Sequence, residues 1–257
     1  MRIEVLYPEI CNLYGDAMNA EYLRRAIPEA DFIKTTIKGK PAFTGGDVDL
    51  VYMGSMTESG QKIAAETLGK YRGEILDQIA AGKAFLVTGN AFELFGTHIE
   101  NEDGSYIRTL GVFGLYSKRR MMHRYNSIYL GTFGDMEIVG FKSQFAHSYE
   151  AGNNGGAASY YPTSTDRAPM ETPPELFTTI RGSGRRPGQT AEGVRINNFM
   201  ATYVLGPLLI LNPPFMRYML ALIGAGGGDL PYGQEAVAAY LARLREFHDP
   251  KTGEEYG

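Results

Sequence analysis

Residues 83–96 read K-A-F-L-V-T-G-N-A-F-E-L-F-G. The apolar run 84–87 is long enough for one buried strand. Thr88, Gly89 and Asn90 then make a sharp turn. Residues 91–95 are helix formers, with Phe92 and Phe95 three apart on one face. A buried strand that enters a helix through a Gly-centred turn is how α/β enzymes build a nucleophile elbow. The turn residue is lifted at the carboxyl end of the strand, and helix N–H groups stand behind it to hold an oxyanion. The reactive position of such an elbow carries Ser or Cys. Here it carries Gly89, so the frame for acyl-transfer chemistry is present without the attacking atom.

The other residues capable of chemistry are scattered. Cys11 is the only cysteine, which excludes an internal disulfide and a zinc cage of several thiolates. It follows the first strand with no cationic neighbour in sequence, and reads as a small buried hydrophobe. His98, His123, His147 and His248 show no metal-ligand spacing, so neither a metal nor a cofactor is expected. His248 sits near a helix end, where a charged imidazole meets the dipole. His147 is the histidine best placed to face a pocket. Glu93 lies one helical turn beyond Gly89 and reads as an exposed carboxylate, with a pocket-lining role as the alternative. The segment 181–188 is glycine-rich but lacks the G-K-S/T of a phosphate loop. It reads as a structural turn, with Arg185 and Arg186 solvated. Tyr106, Tyr160 and Tyr161 fall in loops, as a contact surface or as ordinary surface and core residues.

The elements that must position these residues follow from periodicity. Residues 2–7 alternate Ile3, Val5 and Tyr7 before Pro8 and form a strand. Asp16 is placed to cap the helix carrying Ala20, Leu23 and Ile27. Strands are expected at 30–36 and 49–54, and a helix at 58–81 with a break near 69–73. Strands alternating with helices at short spacing indicate βα units and a parallel sheet. Beyond Gly96 the pattern changes. Residues 125–133 and 136–141, separated by Gly134-Asp135, read as an antiparallel hairpin. Residues 152–174 read as a long loop, 176–180 as a short strand and 194–204 as a strand. A helix is expected to open at Pro213-Pro214 and run to 223, and a last one spans 234–247. With no repeat or linker, residues 1–257 are expected to form a single domain. The chain has 44% hydrophobic residues and a net charge of −4. This supports a sizeable core and disfavours nucleic-acid binding. No apolar run approaches a membrane span, and the N-terminus lacks a signal peptide's apolar core, so a cytoplasmic protein is expected.

Several segments, in order, resemble a known family. They are L-Y-P-E-I-C-N-L-Y-G-D-A-M-N at 6–19, D-V-D-L-V-Y-M-G-S at 47–55, T-G-N-A-F-E-L-F-G at 88–96, V-G-F-K-S-Q at 139–144 and E-G-V-R-I-N-N-F-M-A-T-Y-V-L-G-P-L-L at 192–209. The chain is similar to class I glutamine amidotransferase-like proteins of the cobyric acid synthase type, in particular the GatD glutaminase subunits of lipid II isoglutaminyl synthases. The resemblance implies a flavodoxin-like three-layer α/β fold, with a mixed, mostly parallel central sheet and helices on both faces. It also implies a Cys nucleophile activated by a His. Where the family has C-G-G-Y-Q-L-L-G, this chain has Gly89 at the Cys position. Where the family has G-T-Y-L-H-G-P-L-L, it has Leu205 at the His position. Thr88 occupies the nucleophile position if the match slides by one, but a Thr without a base attacks poorly. By the same resemblance Gly54 and Ser55 stand in the oxyanion loop, and Arg124 matches an Arg placed near the glutamine carboxylate. Gln144 falls in the segment 139–144. The pocket candidates are therefore Gly54, Ser55, Thr88, Gly89, Asn90, Glu93, Arg124, Gln144 and His147.

Three functions compete on these grounds. One is a catalytically inactive amidotransferase-like subunit that stabilises or orients a Mur-ligase-like (MurT-like) partner, in cell-wall or cobyric-acid-type amidation. Another is a sensor whose pocket, opened and made greasy by Gly89 and Leu205, binds glutamine or another small amino-acid-like ligand. The last is an enzyme of changed chemistry built on Thr88, Glu93, Arg124 or His147.

Overall fold

The computed structural model describes residues 1–151, 167–171 and 173–254. Most of the loop expected at 152–174, with Tyr160 and Tyr161, lies outside them. Strands and helices are numbered in chain order. The central sheet is built from β1 (Arg2–Leu6), β2 (Asp31–Thr35), β3 (Leu50–Met53), β4 (Ala84–Thr88), β13 (Val194–Ile196) and β14 (Phe199–Thr202). Its order is β13-β14-β4-β3-β1-β2. Every pairing is parallel except β13 with β14. The run β2-β1-β3-β4-β14 is the 2-1-3-4-5 order of flavodoxin-like sheets.

β3 and β4 are buried along their whole length, as parallel strands covered on both faces must be. Their alternation sorts the two faces. On one face Leu50, Tyr52 and Leu86 join Ile3 and Val5 under α1 (Ala17–Ala26) and α5 (Pro213–Leu222). On the other, Val51, Met53, Phe85 and Val87 meet Ala64 and Leu68 of α2 (Glu58–Leu68) and Ile75 and Ile79 of α3 (Arg72–Ala80). The result is the three-layer α/β arrangement. α2 starts at Thr57, whose side chain accepts a hydrogen bond from the N–H of Gly60 at 3.1 Å.

Two further sheets stand outside this layer. One runs β10-β7-β5-β6, from β5 (His98–Glu100), β6 (Tyr106–Arg108), β7 (Leu115–Arg119) and β10 (Ala146–Glu150). The other runs β12-β11-β8-β9, from β8 (Tyr125–Phe133), β9 (Met136–Gln144), β11 (Phe177–Arg181) and β12 (Ala191–Glu192). β8 and β9 form the expected hairpin, turning at Gly134 with φ 57°. α4 (Leu208–Leu211) and α6 (Gly233–His248) complete the regular elements.

The break expected near 69–73 in the helical stretch 58–81 is present, as a 3-10 turn at Gly69–Tyr71 between α2 and α3. Three sequence expectations need correction. The helix after the elbow is a 3-10 run, Gly89–Phe95, whose residues pack into the core from 91 onward. The strand at 194–204 is a hairpin of β13 and β14, reversed at Asn197 with φ 53°. Asp16 does not cap α1: its side chain bonds no helix N–H there and turns into the elbow instead.

Candidate functional site

Gly89 follows β4 at the carboxyl end of the sheet with φ +61°, a left-handed conformation that glycine adopts without strain. The backbone thus makes the sharp turn the sequence implied. The space above the turn is filled. A Cβ on Gly89 would lie 2.6 Å from Ser55 Cβ and 2.9 Å from Leu205 Cδ2, far inside contact distance. Gly54, Ser55, Thr88, Gly89 and Leu205 are buried, and Asn90 is half-buried. The expectation that Gly89 and Leu205 open the pocket is therefore wrong. The leucine and the serine close it.

Leu205 is fixed in that position by its backbone. Its N–H donates to Phe141 O at 2.9 Å, and its carbonyl accepts from the N–H of Phe141 at 3.1 Å, so it is bridged to β9. A hydrophobic side chain thus sits where the family resemblance requires a base.

Beneath the turn, residues from distant segments form one polar cluster. The Asp16 carboxylate accepts from Thr88 Oγ1 at 2.5 Å, the N–H of Ser55 at 2.9 Å and Asn19 Nδ2 at 2.8 Å. Tyr52 OH donates to Asp16 O at 2.7 Å and accepts from Asn19 Nδ2 at 3.0 Å. Burial raises the Asp16 carboxyl above its ordinary range, and the bonds from Thr88 and Ser55 partly offset this. Gly54 is tightly enclosed here, since a Cβ would lie 3.1 Å from Cys11 O and 3.2 Å from Asp16 Oδ2. Beside it, Asn90 clamps the loop after β3: Met56 N–H donates to its Oδ1 at 2.9 Å, and its Nδ2 donates to Met56 O at 2.7 Å. The N–H groups of Ser55 and Met56, which could stabilise an oxyanion, are thus both occupied by side chains of this chain.

Glu93 does not lie on an exposed helix face. It is 2% exposed, 3.6 Å from Arg119 Nη2, and accepts from Gln61 Nε2 at 3.1 Å. Arg119 also donates to Gln61 Oε1. Burial, opposed by Arg119 and Gln61, pushes the Glu93 carboxyl up to about 7. A carboxyl with a raised folded pKa binds more protons in the folded than in the unfolded state. Its stabilising contribution is complete below the unfolded value and is lost as pH rises through about 7. The melting temperature of the parent is expected to fall between about pH 5 and about pH 8 more steeply than that of Glu93→Gln. Parallel pH profiles in the two proteins would sink this assignment.

The remaining sequence candidates are gathered elsewhere. Arg124 stacks over Phe145 with its guanidinium carbon 4.4 Å from the ring centroid. Gln144 Nε2 donates to Ala146 O at 2.6 Å and lies 3.3 Å from His147 Nδ1. Arg124 and His147 line a separate cavity. Arg185 is buried rather than solvated, donating to Gly193 O at 2.9 Å and Pro173 O at 3.3 Å. Cys11 is buried with a free thiol whose pKa burial raises, as expected of a packing residue. His98 stacks on Tyr116 at 5.0 Å, and His248 Nε2 lies 2.6 Å from Glu137 Oε1. Among the described residues no group of three or more His, Cys, Asp or Glu could hold a metal ion. Sequence reading gave Asp16 only a capping role and passed over Asn19 and Tyr52, whose types gave no signal without their juxtaposition.

Sheet order and turn together define a flavodoxin-like α/β protein whose sharp turn after β4 carries Gly89, with Leu205 packed against it. No family model matches the chain. In sequence it is similar to the GatD subunit of lipid II isoglutaminyl synthase (glutamine-hydrolyzing) from Staphylococcus aureus strain N315. Identity is 24% over 214 residues, covering 81% of this chain and 78% of that protein. This agrees with the resemblance read from the five segments. Among solved structures, a glutamine amidotransferase shares 12% identity over 86% of this chain and 98% of its own, with a TM-score of 0.49. A glutamine amidotransferase from Thermotoga maritima shares 12% over 96% of this chain and 91% of its own, also with a TM-score of 0.49.

Proposed function

We propose that the chain is a glutamine amidotransferase-like subunit that does not hydrolyse glutamine and serves as the structural partner of a Mur-ligase-like (MurT-like) amidating subunit, in cell-wall or cobyric-acid-type amidation. The observation carrying this reading is the position of Gly89, where the space for a nucleophile is taken by Ser55 Cβ and Leu205 Cδ2. Attack on a glutamine side-chain carbonyl needs a nucleophile, a base to move its proton and donors for the oxyanion. The elbow has a glycine, a leucine and N–H groups already bonded to Asp16 and Asn90. The sequence similarity to GatD supports descent from a subunit that had all three, and a scaffold kept without its chemistry suits a partner role. No helix among the described residues is long and apolar enough to cross a membrane, and we place the protein in the cytoplasm with its partner.

The sensor reading loses its basis at the elbow, since the vacated space is packed. The changed-chemistry reading loses support as well. Among the described residues, Thr88 pairs with Asp16, Glu93 with Gln61 and Arg119, and His147 with Gln144, and none of Thr88, Glu93, Arg124 and His147 bonds another of the set.

The test is ammonia and glutamate release from glutamine, by this chain alone and with its co-purified ligase. No turnover is expected in either setting. Turnover by the parent would overturn the reading and make Thr88 the first residue to mutate. Affinity purification that recovers no ligase-like protein would count against the partner role.

A further inference from the structure

A second cavity lies apart from the elbow, with a volume of about 530 Å3. The turn after β7, the strand β10 and the loop after β11 enclose it. Lys118, Arg120, Arg124 and Arg186 line it, with Phe145 and Tyr149, and among the described residues none that lines it is acidic. Among the described residues Arg120, Arg124 and Arg186 form no ion pair, while Lys118 is 3.4 Å from Glu100. Glu100 and Glu102 line an adjoining cavity with Lys118 and Arg120, so Arg124 and Arg186 are the cations left without an ion pair on this side, and an anion that binds between them gains their charge.

The shape of the gathering is specific. Arg124 lies over Phe145 at 4.4 Å and Arg186 over Tyr149 at 5.1 Å. Contact with a ring face restrains each guanidinium, which lowers the entropy lost on binding. The volume falls within the usual range for small-molecule sites. A phosphoryl group, with close to two charges and three acceptor oxygens, suits several converging cations better than a single carboxylate does.

We propose that this cavity is a binding site for a phosphoryl group, carried by a soluble phosphate compound or by a lipid headgroup. The second source has its own observation: Met121 and Met122, on the turn that bears Arg120 and Arg124, are 44% and 85% exposed. The proposal does not rest on the function of the elbow. His147 supplies a reporter. Burial first, then the charges of Lys142 and Arg120, hold its imidazole down to about 4, and a bound anion opposes those charges.

The experiment is calorimetric titration of the full chain with inorganic pyrophosphate, beside vesicle co-sedimentation. Saturable binding is expected, weakened about tenfold or more in each of Arg124→Gln and Arg186→Gln and unchanged in Arg217→Gln, a remote control. Melting curves establish that the variants are folded. In NMR titrations the His147 ring is expected to protonate at higher pH when pyrophosphate is present. Co-sedimentation with phosphatidylglycerol vesicles but not phosphatidylcholine, lost in Met122→Ser while pyrophosphate binding persists, assigns the headgroup. Pyrophosphate binding without co-sedimentation assigns the soluble compound. Absence of saturable pyrophosphate binding, or binding indifferent to both arginine variants, overturns the proposal. Binding of glutamate in place of pyrophosphate overturns the phosphoryl assignment as well.

Discussion

Gly89→Cys is expected to destabilise the chain by roughly 2–5 kcal/mol and to restore no glutaminase activity. Two costs add. A side chain in the left-handed region costs about 1–2 kcal/mol, and overpacking a core costs about 1–3 kcal/mol. Both belong to the Cβ, so Gly89→Ala should lose as much in denaturant unfolding as Gly89→Cys. The two obstructing atoms differ. Leu205 Cδ2 ends a flexible side chain and can rotate away; Ser55 Cβ is attached to the backbone that gives its N–H to Asp16. Ser55→Gly should therefore recover part of the loss, as a coupling in a double-mutant cycle. The triple variant with Ser55→Gly, Gly89→Cys and Leu205→His supplies room, nucleophile and base. It is still expected to release no ammonia, because the N–H groups of residues 55 and 56 remain bonded to Asp16 and Asn90. A Gly89→Ala variant within about 0.5 kcal/mol of the parent would show that the elbow is roomier than described.

The other large effect concerns Lys142. Its ammonium is fully buried, donates to Gly184 O at 2.6 Å and to Glu192 Oε2, and lies 5.5 Å and 5.6 Å from the ring centroids of Tyr129 and Tyr203. The other Glu192 oxygen accepts from Thr202 Oγ1 at 2.7 Å and the N–H of Tyr203 at 2.8 Å. Lys142→Met leaves a buried carboxylate without its cation and is expected to cost about 3–5 kcal/mol. Adding Glu192→Gln should return part of that, because the amide still accepts from Thr202 and Tyr203 without bearing a charge. Denaturant midpoints of the single and double variants test this. A Lys142→Met protein as stable as its parent would mean the pair is not formed. The pair also bears on the elbow, since Glu192 anchors the end of β14 from which the chain runs on to Leu205.

The elbow was legible in the sequence because its signals are local: an apolar run, a glycine, then Phe92 and Phe95 on one face. Gly89 and Leu205 as a pair were legible only through resemblance, because they are far apart in the chain and neither type suggests chemistry. Ser55 as the obstruction was not legible, since contact between the loop after β3 and the turn after β4 is a product of packing. Asp16 reads as a cap from its neighbours, and its true partners are Ser55 and Thr88. β5, β6, β7 and β10 were missed because they are short and mix polar with apolar residues. The β13–β14 reversal did have a signal, Asn197-Asn198 between apolar residues, a pair suited to a two-residue turn. Arg124 was legible as a pocket candidate only through resemblance, and its placement over Phe145 and near Arg186 was not, because these residues come from separate segments.

The seat of β14 beside β4 has a consequence for how the chain folds. Phe199–Thr202 pairs in parallel with Phe85–Thr88, so two neighbours in the middle of the sheet are separated by more than a third of the sequence. At ribosomal rates of about 5–20 residues per second, β4 leaves the ribosome roughly 5–20 s ahead of its neighbour. During that interval the nascent sheet ends in an unpaired, mostly apolar edge, the kind of surface that recruits other chains. Such long-range closure makes for slow folding. Yield on expression should therefore depend on chaperone supply and temperature more than the stability of the finished protein would suggest.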